Sequence, residues 1–193
     1  MKKALLFILI ALLAMTLCVG LVSCGGSDEK TDGGENGGNG GAASKNLTIE
    51  QFTTAMKGVD EFFELRNMGG HYLYENDGYS SYRCKVYVDA DDYIKQIEIN
   101  CDDIPERKVT YAEDILRSVN EPTTGEDERV KAAFTRLKCL LKQINTKASK
   151  MSDEDFAKLM SIEVEPETYG AWKLEVYHSL DGVQFIAQRS EAE

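Results

Sequence analysis

The sequence predicts an α+β domain in which an antiparallel meander sheet of about five or six strands packs on helices. Three observations predict it. Apolar and polar residues alternate with a period of two between 71 and 101 and again between 162 and 188. Apolar residues recur at helical spacing in front of each of these parts and between them. The two strand-rich parts also match one another in spacing, which points to a helix-plus-meander unit present twice.

The elements follow in order. Thr48 with Gln51 three residues later has the form of a capping box, and Phe52, Ala55 and Met56 continue at helical spacing, so a first helix is expected over about 48–57. Gly58 either ends it or is carried within a continuous helix. With the first choice, Asp60 caps a second short helix through Phe62, Phe63 and Leu65, which stops before Asn67-Met68-Gly69-Gly70. Strands are expected at 71–75, 82–88 and 94–101, separated by turn signals at Asn76-Asp77-Gly78 and Asp89-Ala90-Asp91-Asp92. If Val86 faces Ile97, then Cys84 faces Ile99 and Tyr82 faces Cys101, which leaves the two thiols diagonal and beyond bridging distance.

Thr110 with Glu113 opens a helix carrying Ile115, Leu116 and Val119 that stops near Pro122. A longer helix over about 127–145 places Val130, Phe134, Leu137, Leu141 and Ile144 on one stripe, with mostly Lys and Arg opposite. Cys139 falls away from that stripe and is expected to be the exposed thiol. Ser152 caps a short helix with Phe156, Leu159 and Met160. Strands are then expected at 162–164, 172–177 and 183–188, the last two joined at Asp181-Gly182.

The internal match runs residue by residue, with chance convergence of two amphipathic strands as the alternative. Shifted by ninety residues, Tyr79-Ser-Ser-Tyr82-Arg-Cys-Lys-Val86-Tyr87 lies over Tyr169-Gly-Ala-Trp172-Lys-Leu-Glu-Val176-Tyr177. Thr48, Glu50, Phe52 and Met56 lie over Ser152, Glu154, Phe156 and Met160 at an offset of 104, the difference being about the length of the 58–70 segment. Halves at 47–101 and 152–188 with a helical connector at 110–146 account for both offsets.

The N-terminal quarter has a different character. Lys2 and Lys3 precede Ala4 to Val22, an uncharged apolar run of nineteen residues with the form of an export signal. Leu21-Val22-Ser23-Cys24 resembles the bacterial lipobox. The resemblance implies cleavage before Cys24 and lipid on its thiol, which makes 1–23 a lipoprotein signal peptide. An uncleaved anchor is the alternative, because the run is long enough to span a bilayer. In either case the two lysines stay in the cytoplasm and the domain faces the periplasm or the cell exterior. Gly25 to Ser44 contains eight glycines among small polar residues, so 24–46 is expected to be a disordered tether reaching roughly 25 Å. The domain itself is then 47–193.

Thr48-Ile-Glu-Gln-Phe52, Gly58, Gly69 and the meander after them resemble the beta-lactamase-inhibitor-protein-like modules, whose helix-helix-meander plan small outer-membrane assembly lipoproteins share. The resemblance covers 47–101 and extends to 152–188. The chain has Glu64 where the family has an apolar residue and Asp60 where it has a small hydroxyl residue. What the resemblance implies is a sheet face that grips another protein, without catalysis.

The residues themselves offer little chemistry. The net charge is −11, and loss of the two signal lysines makes the mature chain more acidic still, which argues against nucleic acid as a partner. His71 and His178 occupy non-equivalent places in the two halves, so neither a metal nor a cofactor is expected. Asp89, Asp91, Asp92, Glu98, Asp102 and Asp103 lack the glycine and closing glutamate of a helix-flanked calcium loop and read as a solvated turn. No nucleophile with a recognisable base occurs. Tyr82 and Trp172 are expected on the core face, with Tyr87 and Tyr177 on the other. Tyr79, Tyr87, Tyr169 and Tyr177 are the candidate partner-binding residues, since tyrosines ringed by charge suit protein contact. The expected function is that of a membrane-tethered, non-enzymatic binding or envelope-assembly module. Small-ligand capture is the alternative, followed by cell-wall hydrolysis.

Overall fold

The computed structural model describes residues 46–78, 80–162 and 165–190. The signal, Cys24, the tether and Tyr79 lie outside the described residues, as does most of the strand expected at 162–164. Among the described residues no helix is long and apolar enough to cross a membrane.

Helix α1, Ile49–Lys57, starts where the capping box places it: the Thr48 side chain accepts from the Gln51 N–H and the Gln51 side chain accepts from the Thr48 N–H. Its Phe52 and Met56 are fully buried. The helix expected after Asp60 does not form. The Asp60 carboxylate instead accepts from the hydroxyls of Tyr74 (2.7 Å) and Tyr82 (2.9 Å) and from the Asn76 amide (3.2 Å), while its second oxygen takes the Phe62 N–H. Two buried phenols need an acceptor more than a short helix needs a cap, because an unmet buried donor costs about 1–3 kcal/mol. The segment therefore winds past the sheet edge with Phe63 buried and Phe62 exposed. Burial alone would raise the Asp60 carboxyl, but the bonds from Tyr74, Asn76, Tyr82 and Phe62 together hold it below the ordinary aspartate value. Burial and the Asp60 bond push the Tyr74 hydroxyl up to about 12. Asp60→Ala is expected to lower stability by about 2 kcal/mol, read as a shift of the urea midpoint without a change of slope.

The strands are β1 (Arg66–Asn67), β2 (Tyr72–Asn76), β3 (Tyr82–Val88), β4 (Ile94–Asp102), β5 (Glu167–Tyr169), β6 (Trp172–Ser179) and β7 (Gly182–Arg189). They form one antiparallel sheet in the order β1-β2-β3-β4-β7-β6-β5. Seven strands replace the five or six expected, because β1 and β5 are too short to show a period of their own. Ile162 lies in a turn, and the strand sought there forms at β5. The β3–β4 register is the expected one: Val86 faces Ile97, Cys84 faces Ile99 and Tyr82 faces Cys101.

Helix α2 spans Ala112–Asn120, α3 spans Gly125–Ile144 and α4 spans Asp153–Met160. Thr110 does not cap α2; its hydroxyl donates to the Glu106 carbonyl, and Tyr111 holds the cap position without a side-chain bond. α3 begins earlier than expected because Thr124 and Asp127 form a second capping box. Its predicted stripe is buried throughout, as are Phe156, Leu159 and Met160 of α4, whose N-cap is Ser152.

The core lies between these helices and one face of the sheet. Three inward rows carry it, Tyr82-Cys101-Val183, Tyr74-Cys84-Ile99-Phe185-Val176 and Val86-Ile97-Ala187-Leu174. One basic residue of α3 departs from the expected solvent-facing pattern. Arg136 is buried, stacks 3.7 Å above the Tyr82 ring and donates to the Ser80 carbonyl and hydroxyl. Cys84 and Cys101 are free, buried thiols; burial pushes Cys84 upward and Cys101 up to about 11, so neither ionises at neutral pH. Cys139, expected to be exposed, is half-buried against α1 and donates to the Ala55 carbonyl at 3.5 Å.

Candidate functional site

Among the described residues no helix covers the second face of the sheet, and the strand registers fix what it presents. One row across it is Leu73-Lys85-Glu98-Ile186-Glu175. On one side of this row lies Tyr87-Gln96-Gln188-Lys173-Thr168, and on the other Glu75-Arg83-Asn100-Gln184-Tyr177. Leu73, Ile186 and the two tyrosines supply its apolar surface, and amides and charges supply the rest.

Tyr87 and Tyr177 each stand sixth in their strand, and each faces a glutamine, Gln96 and Gln184. The Tyr87 ring packs against His71 with centroids 5.6 Å apart. Burial and the nearby Glu98 raise its hydroxyl. Tyr177 is 49 % exposed and donates to Glu175 at 2.9 Å, which raises its own hydroxyl. Lys173 reaches Glu175 at 2.6 Å; that bond, with the one from Tyr177, holds the Glu175 carboxyl down, and Glu175 in turn raises Lys173. Both tyrosines are therefore neutral, and Lys173 and Glu175 charged, at any physiological pH. Tyr82 and Trp172 lie on the core face. Tyr169 departs from the other candidates: it is buried, with its hydroxyl bonded to Glu167 at 2.6 Å, so it adds no open surface.

A cleft of about 820 Å³ opens where this face meets the β3–β4 turn, lined by Asp91, Tyr93, Lys95, Lys173, Gln188 and Arg189, among others. Sequence spacing gave no sign of it, because the register alone brings the turn, the end of β7 and Asn46 together. Asp89, on its wall, binds Arg189 and accepts the N–H groups of Asp91 and Tyr93; the Arg189 bond is the main cause of its lowered carboxyl. Of the other acids in the set, Asp102 lies 4.0 Å from Arg83. Among the described residues no three His, Cys, Asp or Glu side chains group to hold a metal ion.

Protein-family models, curated proteins and solved structures yield no match to the chain.

His178 links the sheet to a helix. It lies next to last in β6, and its Nε2 is 2.9 Å from the Met160 carbonyl at the end of α4. Burial lowers its pKa, so the neutral ring donates there and serves as a tie between sheet and helix. The open face thus offers amides, paired charges and two neutral phenols, a set suited to contact and hydrogen bonding.

Proposed function

We propose that this chain is an envelope lipoprotein, held to a bacterial membrane by lipid on Cys24, whose domain docks another envelope protein on the open sheet face. It acts without a cofactor, and nucleic acid is not its partner. The observation that carries the reading is the pairing of Tyr87 and Tyr177 on that face, each opposite a glutamine and each neighboured by charge. Aromatic side chains with a polar tip are enriched where proteins meet, and charges belong to the rim around them.

The reading includes a tandem origin for the two halves, inferred from their match in sequence. The sheet order runs outward from the β4–β7 pair as β3 and β2 on one side and β6 and β5 on the other, and a capped helix precedes each meander. Phe52 and Met56 are buried, as are Phe156 and Met160. Core positions are held by packing in both halves, whereas the outward Tyr and Gln positions answer to no core requirement. Their agreement points to a task for the face.

Two measurements test the reading. Labelled palmitate is expected to enter the wild-type chain and not the Cys24→Ser variant; labelling that persists removes the anchor. Combined Tyr87→Ala and Tyr177→Ala substitution is expected to weaken partner capture at least about tenfold with little loss of stability. Unchanged capture removes the surface. The cleft favours a second reading, small-ligand capture, for which a metabolite raising the melting temperature, and losing that effect in Lys95→Ala, is the expected sign.

A further inference from the structure

Building on the docking role of the sheet face, we propose that the protein seated on it is a second copy of this chain, packed face to face about a two-fold axis parallel to the strands. The axis lies over the β4–β7 junction, at the middle of the sheet order. Rotation about it lays β3 over β6 of the second copy and β4 over β7.

The registers then dictate the contacts. Lys85 falls over Glu175, Arg83 over Tyr177, and Tyr87 over Lys173 of the second copy. Each contact occurs twice, giving two ion pairs and four meetings of a cation with an aromatic ring. The amides of Gln96 and Asn100 meet those of Gln188 and Gln184. Glu98 meets only Ile186 and keeps its bond from Gln96. Aligned sheets cross at roughly 30°, which displaces the outer strands more than the central four. A two-fold axis running across the strands through the Lys85–Glu175 row gives the opposite result, with Lys85 over Lys85 and Glu175 over Glu175. Like charges in such positions cost several kcal/mol, which disfavours that axis; moved half a row, a crossing axis lays Glu175 over Lys173, so the choice of direction rests on where the chain enters.

The position of the chain entry selects the axis along the strands over any axis that crosses them. Ile94 donates to the Leu47 carbonyl at 2.8 Å and Thr48 bridges to Tyr93, so Asn46 enters beside the β3–β4 turn at one end of the strands. An axis parallel to the strands keeps both Asn46 residues at that end, and two Cys24 lipids can enter one membrane. The crossing axis sends them to opposite ends. The face is polar, so the pair is weak in dilute solution and gains from confinement on the membrane, where the effective concentration reaches about the millimolar range.

The test uses the full-length lipoprotein in its own membrane with a carbodiimide, which joins an amine directly to a carboxylate. Wild type is expected to yield a dimer containing a Lys85–Glu175 peptide. Lys85→Glu alone and Glu175→Lys alone are each expected to lower the dimer about tenfold or more, and the two together to restore it. Melting curves matching wild type confirm that the single variants fold. A dimer indifferent to the single reversals, or one not restored by the pair, overturns the proposal. If the chain stays monomeric while another protein is captured through Tyr87 and Tyr177, the second copy is wrong and the docking face stands. If nothing binds the face, both fail.

Discussion

Asp127→Ala is expected to destabilise the domain by about 2–3 kcal/mol, the cost of leaving several donors and a half-buried ammonium without their acceptor. The carboxylate is 3 % exposed and has more partners than any other acid described. One oxygen accepts from Lys108 Nζ and the Ser118 hydroxyl, both at 2.7 Å. The other accepts from the N–H groups and hydroxyls of Thr123 and Thr124 at 2.8–3.0 Å. Truncation would remove the α3 cap, unlock the α2–α3 connection and leave the half-buried Lys108 ammonium unmatched. The same contacts set a pH dependence. The Lys108 and Ser118 bonds, then those from Thr124 and Thr123, hold the carboxyl far below its ordinary value. A carboxyl depressed in the folded state stabilises fully above its unfolded value of about 4 and loses that contribution as the pH falls below it. Urea midpoints measured from pH 7 to pH 2 should therefore drop for the wild type and drop less for the variant. A parallel fall in both proteins would show that Asp127 is not what acid removes.

Gly182→Ala is expected to cost a further-reaching loss, about 3 kcal/mol or more, because neither backbone nor neighbour can accommodate a side chain there. Its φ is +149°, and a Cβ would stand 2.0 Å from the Cys101 carbonyl oxygen and 3.1 Å from Asp102 Cα. Both obstacles are backbone atoms of β4, so relief requires β4 and β7 to separate at the centre of the sheet. Hydrogen exchange should show lost protection over Ile99–Asp102 and Gly182–Phe185. The neighbouring Asp181→Ala keeps the backbone carbonyl that accepts from the Asp103 N–H, so it should change stability by less than about 0.5 kcal/mol. Equal effects at 181 and 182 would mean that the hairpin itself, and not the close approach, sets the cost.

Much of the fold was legible where a local rule and the burial pattern agree. Tyr82–Val88 alternates cleanly, and the β3–β4 register followed from placing Val86 opposite Ile97. Thr48 and Ser152 announced their helices because capping is decided within one turn. What was not legible depends on partners distant in sequence. Asp60 looks like a helix cap until Tyr74 and Tyr82 arrive from β2 and β3 with hydroxyls to satisfy. Arg136 looks like a solvent-facing residue of α3 until the Tyr82 ring and Ser80 come to meet it. Tyr169 matched Tyr79 in spacing, yet the register puts it inside. The outward placing of Tyr87 and Tyr177 could be read from alternation; that each faces a glutamine could be read only from the paired strands.

The docking role of the sheet face is tested most directly by a photoreactive residue placed at Gln184 on the open face or at Lys131 on the helical side, in the full-length lipoprotein within its own envelope. A defined protein crosslink is expected from position 184 and none from position 131. A crosslink from 131 alone, or the same products from both, would contradict it.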